Sequence, residues 1–480
     1  MRVPARFPRA GFGALPLFFL LLTFAGCGFR TYEPKPLDPP KSAAEVSSRS
    51  LEAPALRDYL QGRGVAVDPW PRADWTLATL TWVALYHSPE LDIARAQVAV
   101  ARAGEVTSAQ RPNPAIQLGG QHHSETGPPR ESPWTVSLIL DLPIVTGGKR
   151  EAQMARAQAL SEGALLDLAA AAWQARSRVQ ARYVDCYAAT EEARLADAEA
   201  ALRQEELALI ERRVERGFAS ATDATAARTR LAEARLARAR AAARLEEARG
   251  GLAQALGVSV ASVQRQYLSF SDLKAQLPQG SDGDLQAVAL QNRLDIRRGL
   301  ADYAVAEANL QFEVARQYPD LVLRPGYIWD QGDRIWALGS FVLLPLMNRN
   351  EGPILEAEAR RTLEADRFLA LQTRAIGIVA AREAGYQATQ RELAAANALQ
   401  RDAAERTART ERRFDAGDAD RLERTRARLE AVIAERLAFA SEFHELQTYV
   451  LLEDAVQAPL DGSAAPVADP VTPRLAEDTR

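Results

Sequence analysis

Residues 134–143 read Trp134-Thr135-Val136-Ser137-Leu138-Ile139-Leu140-Asp141-Leu142-Pro143, and their alternation decides the fold. Successive side chains of a strand point to opposite faces. Trp134, Val136, Leu138, Leu140 and Leu142 therefore share one face, and Thr135, Ser137, Ile139 and Asp141 share the other. Some 200 residues later Trp336, Leu338, Ser340, Val342 and Leu344 alternate in the same way with Ala337, Gly339, Phe341 and Leu343. Each run is about 10 residues, enough to cross a bilayer at a barrel tilt. Each begins with Trp, a residue enriched at membrane interfaces.

Companion strands complete two hairpins, 114–122 with 133–143 and 320–329 with 335–345. The polar loop from His122 to Arg130 would lie outside the cell. Four strands are too few to close a transmembrane barrel, which needs at least about eight. An open edge in lipid would leave backbone groups unpaired at several kcal/mol each. Either the hairpins are soluble and pack on helices, or several chains share one barrel. Two chains would give a small barrel filled by side chains; three would give a wider one with an open lumen.

Outward from the strands the chain is helical. Helices are predicted at about 89–110 and 293–317, before each strand pair. No proline occurs between Pro143 and Pro278 or between Pro353 and Pro459, and Ala, Arg, Glu and Leu fill both stretches. A helix from about 149 to 215 would be roughly 100 Å long at 1.5 Å per residue. It would turn at Gly217 and return for about 35 residues, and the segment from about 353 through Gly417 to 456 repeats the plan. Ala spread around the circumference suits a stave packed on two sides.

The chain is thus two copies of one unit, in the same order at offsets of about 200 to 203. Leu91-Asp92-Ile93 recurs as Leu294-Asp295-Ile296, and Trp134 with Pro143 as Trp336 with Pro345. Glu211-Arg212-Arg213 recurs as Glu411-Arg412-Arg413, and Gly217 as Gly417. Five segments follow: a signal peptide at 1–26, a tether at 27–50, repeats at 51–282 and 283–458, and a disordered tail at 459–480.

The signal peptide combines Arg2, Arg6 and Arg9 with an apolar run from Gly11 to Gly26 that is too short to span a bilayer. Leu21-Leu22-Thr23-Phe24-Ala25-Gly26-Cys27 resembles a bacterial lipoprotein box, which implies lipidation of Cys27. Gly28, where an Asp would signal retention, implies the outer membrane. Cys186, the only other cysteine, reads as a small buried apolar residue in an Ala-rich helix.

Composition excludes several functions. The net charge is −4, and without the three arginines of the leader it becomes −7, which offers no basis for nucleic-acid binding. Charged residues make up 25% of the chain, too many for a helical membrane bundle. There is no phosphate-binding glycine loop, no paired catalytic carboxylates, and only four His, so no enzyme, cofactor or resident metal is expected. His122 and His123 are adjacent and do not form a complete metal site.

The order of elements from about 70 to 456 resembles the TolC-type outer-membrane factors, including lipoprotein members of tripartite pumps. In that family three protomers build one twelve-stranded barrel continued by a periplasmic barrel of helices. The strand-to-helix exit from Asp141 to Arg150, with Gly147 and Gly148, resembles the branch that includes heavy-metal efflux factors. The resemblance implies a homotrimer in outer-membrane lipid, working with a periplasmic adaptor and an inner-membrane pump. Gly217, Phe218, Gly417 and Asp418 would dock the adaptor. Asp223 and Glu423 would line or lock the entrance, and Arg426, at a place where the family often has a second acid, would pair with Glu423 or Asp223. Asp415, Asp418 and Asp420 read as exposed tip charges. The expected function is a passive duct for small solutes, drugs or metal cations. The rivals are a periplasmic coiled-coil adaptor and a structural lipoprotein without a pore.

Overall fold

The computed structural model describes residues 30–124, 132–273 and 285–460. Cys27, the leader and the tail beyond Leu460 lie outside them. The described residues up to Ser47 belong to a unit of their own. Its described part contains a nine-residue exposed helix, α1 (Pro39–Ser47), where the sequence reads as a tether. The local reason is plain: Asp38 accepts from the Lys41 N–H at 3.1 Å as an N-cap, and Pro39 and Pro40 occupy first-turn positions where a missing N–H costs nothing.

The second unit starts with α2 (Pro54–Gly62), α3 (Leu77–His87) and α4 (Pro89–Ala109), then β1 (Ala115–His122) and β2 (Trp134–Ile144). The long helix α5 (Lys149–Glu215) and its return α6 (Ala221–Leu256) follow, with the short α7 (Val260–Gln264). The order then recurs: α8 (Leu285–Asn292), α9 (Leu294–Ala315), β3 (Leu321–Asp330), β4 (Asp333–Val342), α10 (Glu351–Asp415) and α11 (Arg421–Val456).

The helices form a wall. At the hairpin level α6 packs on α5, α5 on α11 and α11 on α10; nearer the sheet α4 packs on α5, and α9 lies between α5 and α10. Thus α5 and α10 run through both levels, and shorter helices complete four staves at each. Around the middle of α5, Val179, Tyr183 and Cys186 pack with Leu56, Leu60, Trp75, Leu80 and Leu252 into the largest apolar core. Cys186 is fully buried there, and burial pushes its thiol up to about 12. In the second half Val379, Tyr386, Tyr449 and Leu452 form the corresponding cluster. Among the described residues no helix is long and apolar enough to cross a membrane.

The four strands form one antiparallel meander, β1-β2-β3-β4. β4 starts two residues earlier than the sequence suggests because Gln331 and Gly332 make a two-residue turn, both at positive φ (55° and 113°). It ends at Val342, three residues earlier than expected.

Candidate functional site: the sheet and the hairpin tips

Cross-strand register sorts the sheet into two faces. His122 opposes Trp134, Leu118 opposes Leu138, Val136 opposes Trp329 and Tyr327 opposes Trp336. One face therefore carries Ile116, Leu118, Trp134, Val136, Leu138, Tyr327, Trp329, Trp336 and Leu338. Its edge residues are open to the surroundings, Leu118 at 77%, Trp336 at 82% and Leu338 at 80% exposure. Trp134, Trp329, Trp336 and Tyr327 gather at the hairpin end, where Tyr327 and Trp336 lie 5.0 Å apart and His122 meets Trp134 edge-on at 4.7 Å. Such a band is what an apolar wall needs at a lipid–water boundary. The other face is mixed: Gln117, Thr135, Ser137, Asp141, Arg324, Asp330 and Asp333 stand among Ile139, Val322, Ile328, Ile335 and Phe341. The alternation read from residues 134–143 is therefore a physical division of the sheet, with Asp141, Arg324, Asp330 and Asp333 all on the second face.

The meander has two unpaired margins, β1 and β4. With an even number of strands these margins run antiparallel to one another. The β4 of one copy can thus pair with the β1 of another without reversing direction.

At the exit from β2 the chain turns on Gly147 (φ 71°) and Gly148 (φ 76°). A Cβ on Gly147 would sit 2.9 Å from both the Ala315 carbonyl oxygen and Tyr318 Cβ, so this glycine is needed for space as well as for conformation. Asp320 ties the turn down, accepting from the Thr146 N–H at 3.0 Å and pairing with Lys149 Nζ at 2.7 Å. In the second half the same left-handed position before the helix is filled by Asn350 (φ 65°), whose side-chain amide donates to the Glu313 carbonyl oxygen at 2.8 Å.

The two hairpin tips share one backbone design. Gly217 and Gly417 are left-handed at φ 76° and 82°. The Phe218 N–H donates to the Arg213 carbonyl and the Gly217 N–H to that of Val214, and Asp418 and Gly417 repeat both bonds on Arg413 and Phe414. This pairing satisfies the last carbonyls of each descending helix. Three residues beyond each glycine stands an N-cap. Ser220 and Asp223 form a reciprocal capping box, with bonds of 3.1 and 3.0 Å. Asp420 accepts from the N–H groups of Leu422 and Glu423 at 2.8 and 3.0 Å. The Ser220 N–H, then the Ser220 hydroxyl, hold Asp223 below the usual carboxylate range, with Arg426 contributing from further away. The Glu423 N–H does the same for Asp420, against a smaller opposing effect of burial, and Arg213 adds to it.

Side-chain pairing at the tips departs from the expected one. Asp420 is the N-cap and ties to Arg213, so it joins the two hairpins instead of standing free. Glu423 pairs with Arg413 at 2.6 Å. Arg426 pairs with neither Glu423 nor Asp223: its Nε lies 3.3 Å from Glu206 on α5. Glu206 is 2% exposed and is also met by Arg203 at 3.0 Å and Arg230 at 3.7 Å. Phe218 is 80% exposed at the first tip, and beside it lies an open cleft flanked by Arg212, Arg216 and Arg421. At the second, Arg406, Arg409, Arg413 and Arg426 line a cleft of about 510 Å³ together with Glu423 and Glu430. Arg213 and Arg413 stand in the triplets that mark the sequence repeat, which was the available signal for them. Glu206 carried none, because its partners lie on three different helices.

Comparison with known proteins shows what this geometry is similar to. Residues 82–258 match the family described as outer membrane efflux protein. The cobalt-zinc-cadmium resistance protein CzcC of Cupriavidus metallidurans is 30% identical over 243 residues, which is 50% of this chain and 57% of that protein. The chain thus spans little more than half the length of that relative. The outer membrane protein VceC of Vibrio cholerae superposes with a TM-score of 0.63 at 19% identity, covering 82% of this chain and 100% of VceC. CusC, described for conformational changes on folding and transmembrane channel formation, gives 0.64 at 17%, covering 82% and 96%. At such identities the two structures establish a shared fold.

Proposed function

We propose that the chain, whose residues 82–258 match the outer membrane efflux protein family, forms as a homotrimer a passive duct from the periplasm to the exterior. Three four-stranded sheets would close a twelve-stranded barrel with the apolar faces in lipid and the opposite faces around the lumen. The observation that carries this reading is the sheet: one apolar face with an aromatic band, an opposite face that holds Asp141, Arg324, Asp330 and Asp333, and two unpaired margins of compatible direction. The helical wall supports it from below. Ile93, Val100 and Val106 on α4 and Leu355, Leu363, Leu369 and Ile376 on α10 remain uncovered at the wall's two edges. A neighbouring copy would bury them.

Energy for export would come from an inner-membrane pump through a periplasmic adaptor. Phe218 and the arginine-flanked surfaces at Gly217 and Gly417, with Asp418, are the docking points we assign to it. Asp223 and Glu423 would stand at the entrance, with Arg426 held back by Glu206. Cys27 would carry a lipid anchor. The similarity to CzcC supports divalent metal cations as the cargo. A passive wide duct needs no resident metal site and no catalytic group.

The test is reconstitution of the mature protein in planar bilayers. Stepwise ion conductance from a preparation verified as trimeric is the expected result. A verified trimer that conducts nothing would contradict the proposal. Cargo is tested separately: deletion should raise sensitivity to cobalt, zinc or cadmium salts, and an unchanged tolerance would remove the metal assignment while leaving the duct intact.

A further inference from the structure

The strands contain five charged residues, Asp141, Arg324, Asp330, Asp333 and Arg334. Arg334 opposes Trp329 and so lies on the apolar face. The opposite face is left with three acids and one cation. Asp330 and Asp333 oppose each other at the hairpin end, where Asp330 accepts from the Thr135 hydroxyl. Arg324 and Asp141 lie much nearer the helices, and their surroundings are specific. Gln117 Nε2 donates to Asp141 Oδ2 at 2.8 Å, and Arg324 Nε lies 3.0 Å from Asp141 Oδ1. The Arg324 guanidinium sits 5.4 Å over the Phe341 ring. One band thus crosses all four strands, Gln117 on β1, Asp141 on β2, Arg324 on β3 and Phe341 on β4. Arg324 is 41% and Asp141 15% exposed on their side chains, so both remain within reach of a passing ion.

We propose that Arg324 sets the charge selectivity of the inner half of the barrel. It is the single cation on the duct-facing surface of the sheet, and it cancels the one acid at its level. This inference rests on the barrel reading above. In a trimer, loss of Arg324 would leave three carboxylates uncompensated at one height, and loss of Asp141 would leave three guanidinium groups. Rings of like charge at one level are how pores discriminate by sign. Because the Debye length is about 10 Å at 0.1 M salt and about 3 Å at 1 M, the discrimination should be strong in dilute salt and fade in concentrated salt.

The experiment measures reversal potentials of the full mature protein in planar bilayers under a KCl gradient centred near 0.1 M. Arg324→Gln should raise the potassium-to-chloride permeability ratio by about threefold, Asp141→Asn should lower it by a similar factor, and the double variant should return towards the original value. Both single effects should shrink at 1 M. A merely structural role would shift both variants in the same direction, and that result, or unmoved potentials with normal conductance, would overturn the inference. Should Arg324→Gln fail to insert, Asp141→Asn decides alone, since an unchanged ratio refutes the assignment. Absence of channels from the unaltered protein would overturn the barrel reading first, and this inference with it.

Discussion

Helices α5 and α10 occupy equivalent places in the two halves and have almost equal lengths, 67 and 65 residues, yet α5 buries 25 residues and α10 only six. Their compositions do not explain this, since both are rich in Ala, Leu, Arg and Glu. Position does. α5 is an interior stave, flanked by α4 and α9 at one level and by α6 and α11 at the other, whereas α10 is an edge. Leu355, Leu369 and Ile376 follow a heptad-like rhythm along α10 and are 65%, 58% and 39% exposed. A helix patterned for two-sided packing has received one side from its own chain. The missing side is the helical counterpart of the unpaired strand margins, and both point to further copies.

The comparison can be broken most sharply in the core of α5. Leu168→Ala, at a site 2% exposed, should lower chain stability by about 3 kcal/mol through lost burial and the cavity left behind. Leu369→Ala on α10 should cost the chain less than about 0.5 kcal/mol and instead weaken association. Urea unfolding followed by circular dichroism, with gel filtration of the same samples, separates the two outcomes. Equal losses of stability would remove the distinction between interior and edge staves.

A smaller effect is expected from charge. Position 206 is Glu and the equivalent position 406 is Arg; position 230 is Arg and its equivalent 430 is Glu. In the first hairpin the carboxylate is buried among three arginines, whereas in the second the inverted residues line an open cleft. Glu206→Ala should destabilise by about 2 kcal/mol, because it removes the buried carboxylate that Arg203, Arg230 and Arg426 share and leaves the three cations crowded together. Arg406→Ala should cost at most about 0.5 kcal/mol. Similar melting shifts for both would count against a clasp at Glu206.

The tips should then behave alike. Gly217→Val and Gly417→Val each place a β-branched residue in the left-handed region, at about 1–2 kcal/mol. Neither glycine has an atom within 4 Å of an added Cβ, so conformation alone sets the cost. Hydrogen exchange at the two turns should accelerate equally, and a loss at one tip only would show that packing intervenes.

The least effect concerns pH. Asp223 and Asp420 are both held below the ordinary carboxylate value of 3.8. A depressed folded value means their contribution is complete above 3.8 and disappears as pH falls through the lower folded values. Carboxyl titration by NMR should find both groups titrating below 3.8; a midpoint at or above 3.8 for either one would contradict the capping geometry.

What the sequence made legible follows from these contrasts. The proline-free runs, the glycines at 217 and 417 and the alternation after Trp134 and Trp336 are local signals, and local signals place long helices, turns and strands within a few residues. Asn350 escaped notice because a side-chain hydrogen bond lets it do the work of a glycine. The early start of β4 escaped because Gln331-Gly332 is an uncommon turn pair. The partner of Arg426 lies 220 residues away on another helix, at a distance that no spacing rule reaches. Candidate tip residues were therefore found by position, while their partners had to come from packing.

The central claim is that β1 of one copy bonds to β4 of the next. Single cysteines placed along both strands, in a chain with Cys186 replaced by Ala, test this through oxidation in the native membrane. The account predicts β1–β4 adducts joining two and then three chains. A scan that yields only uncross-linked single chains would contradict it.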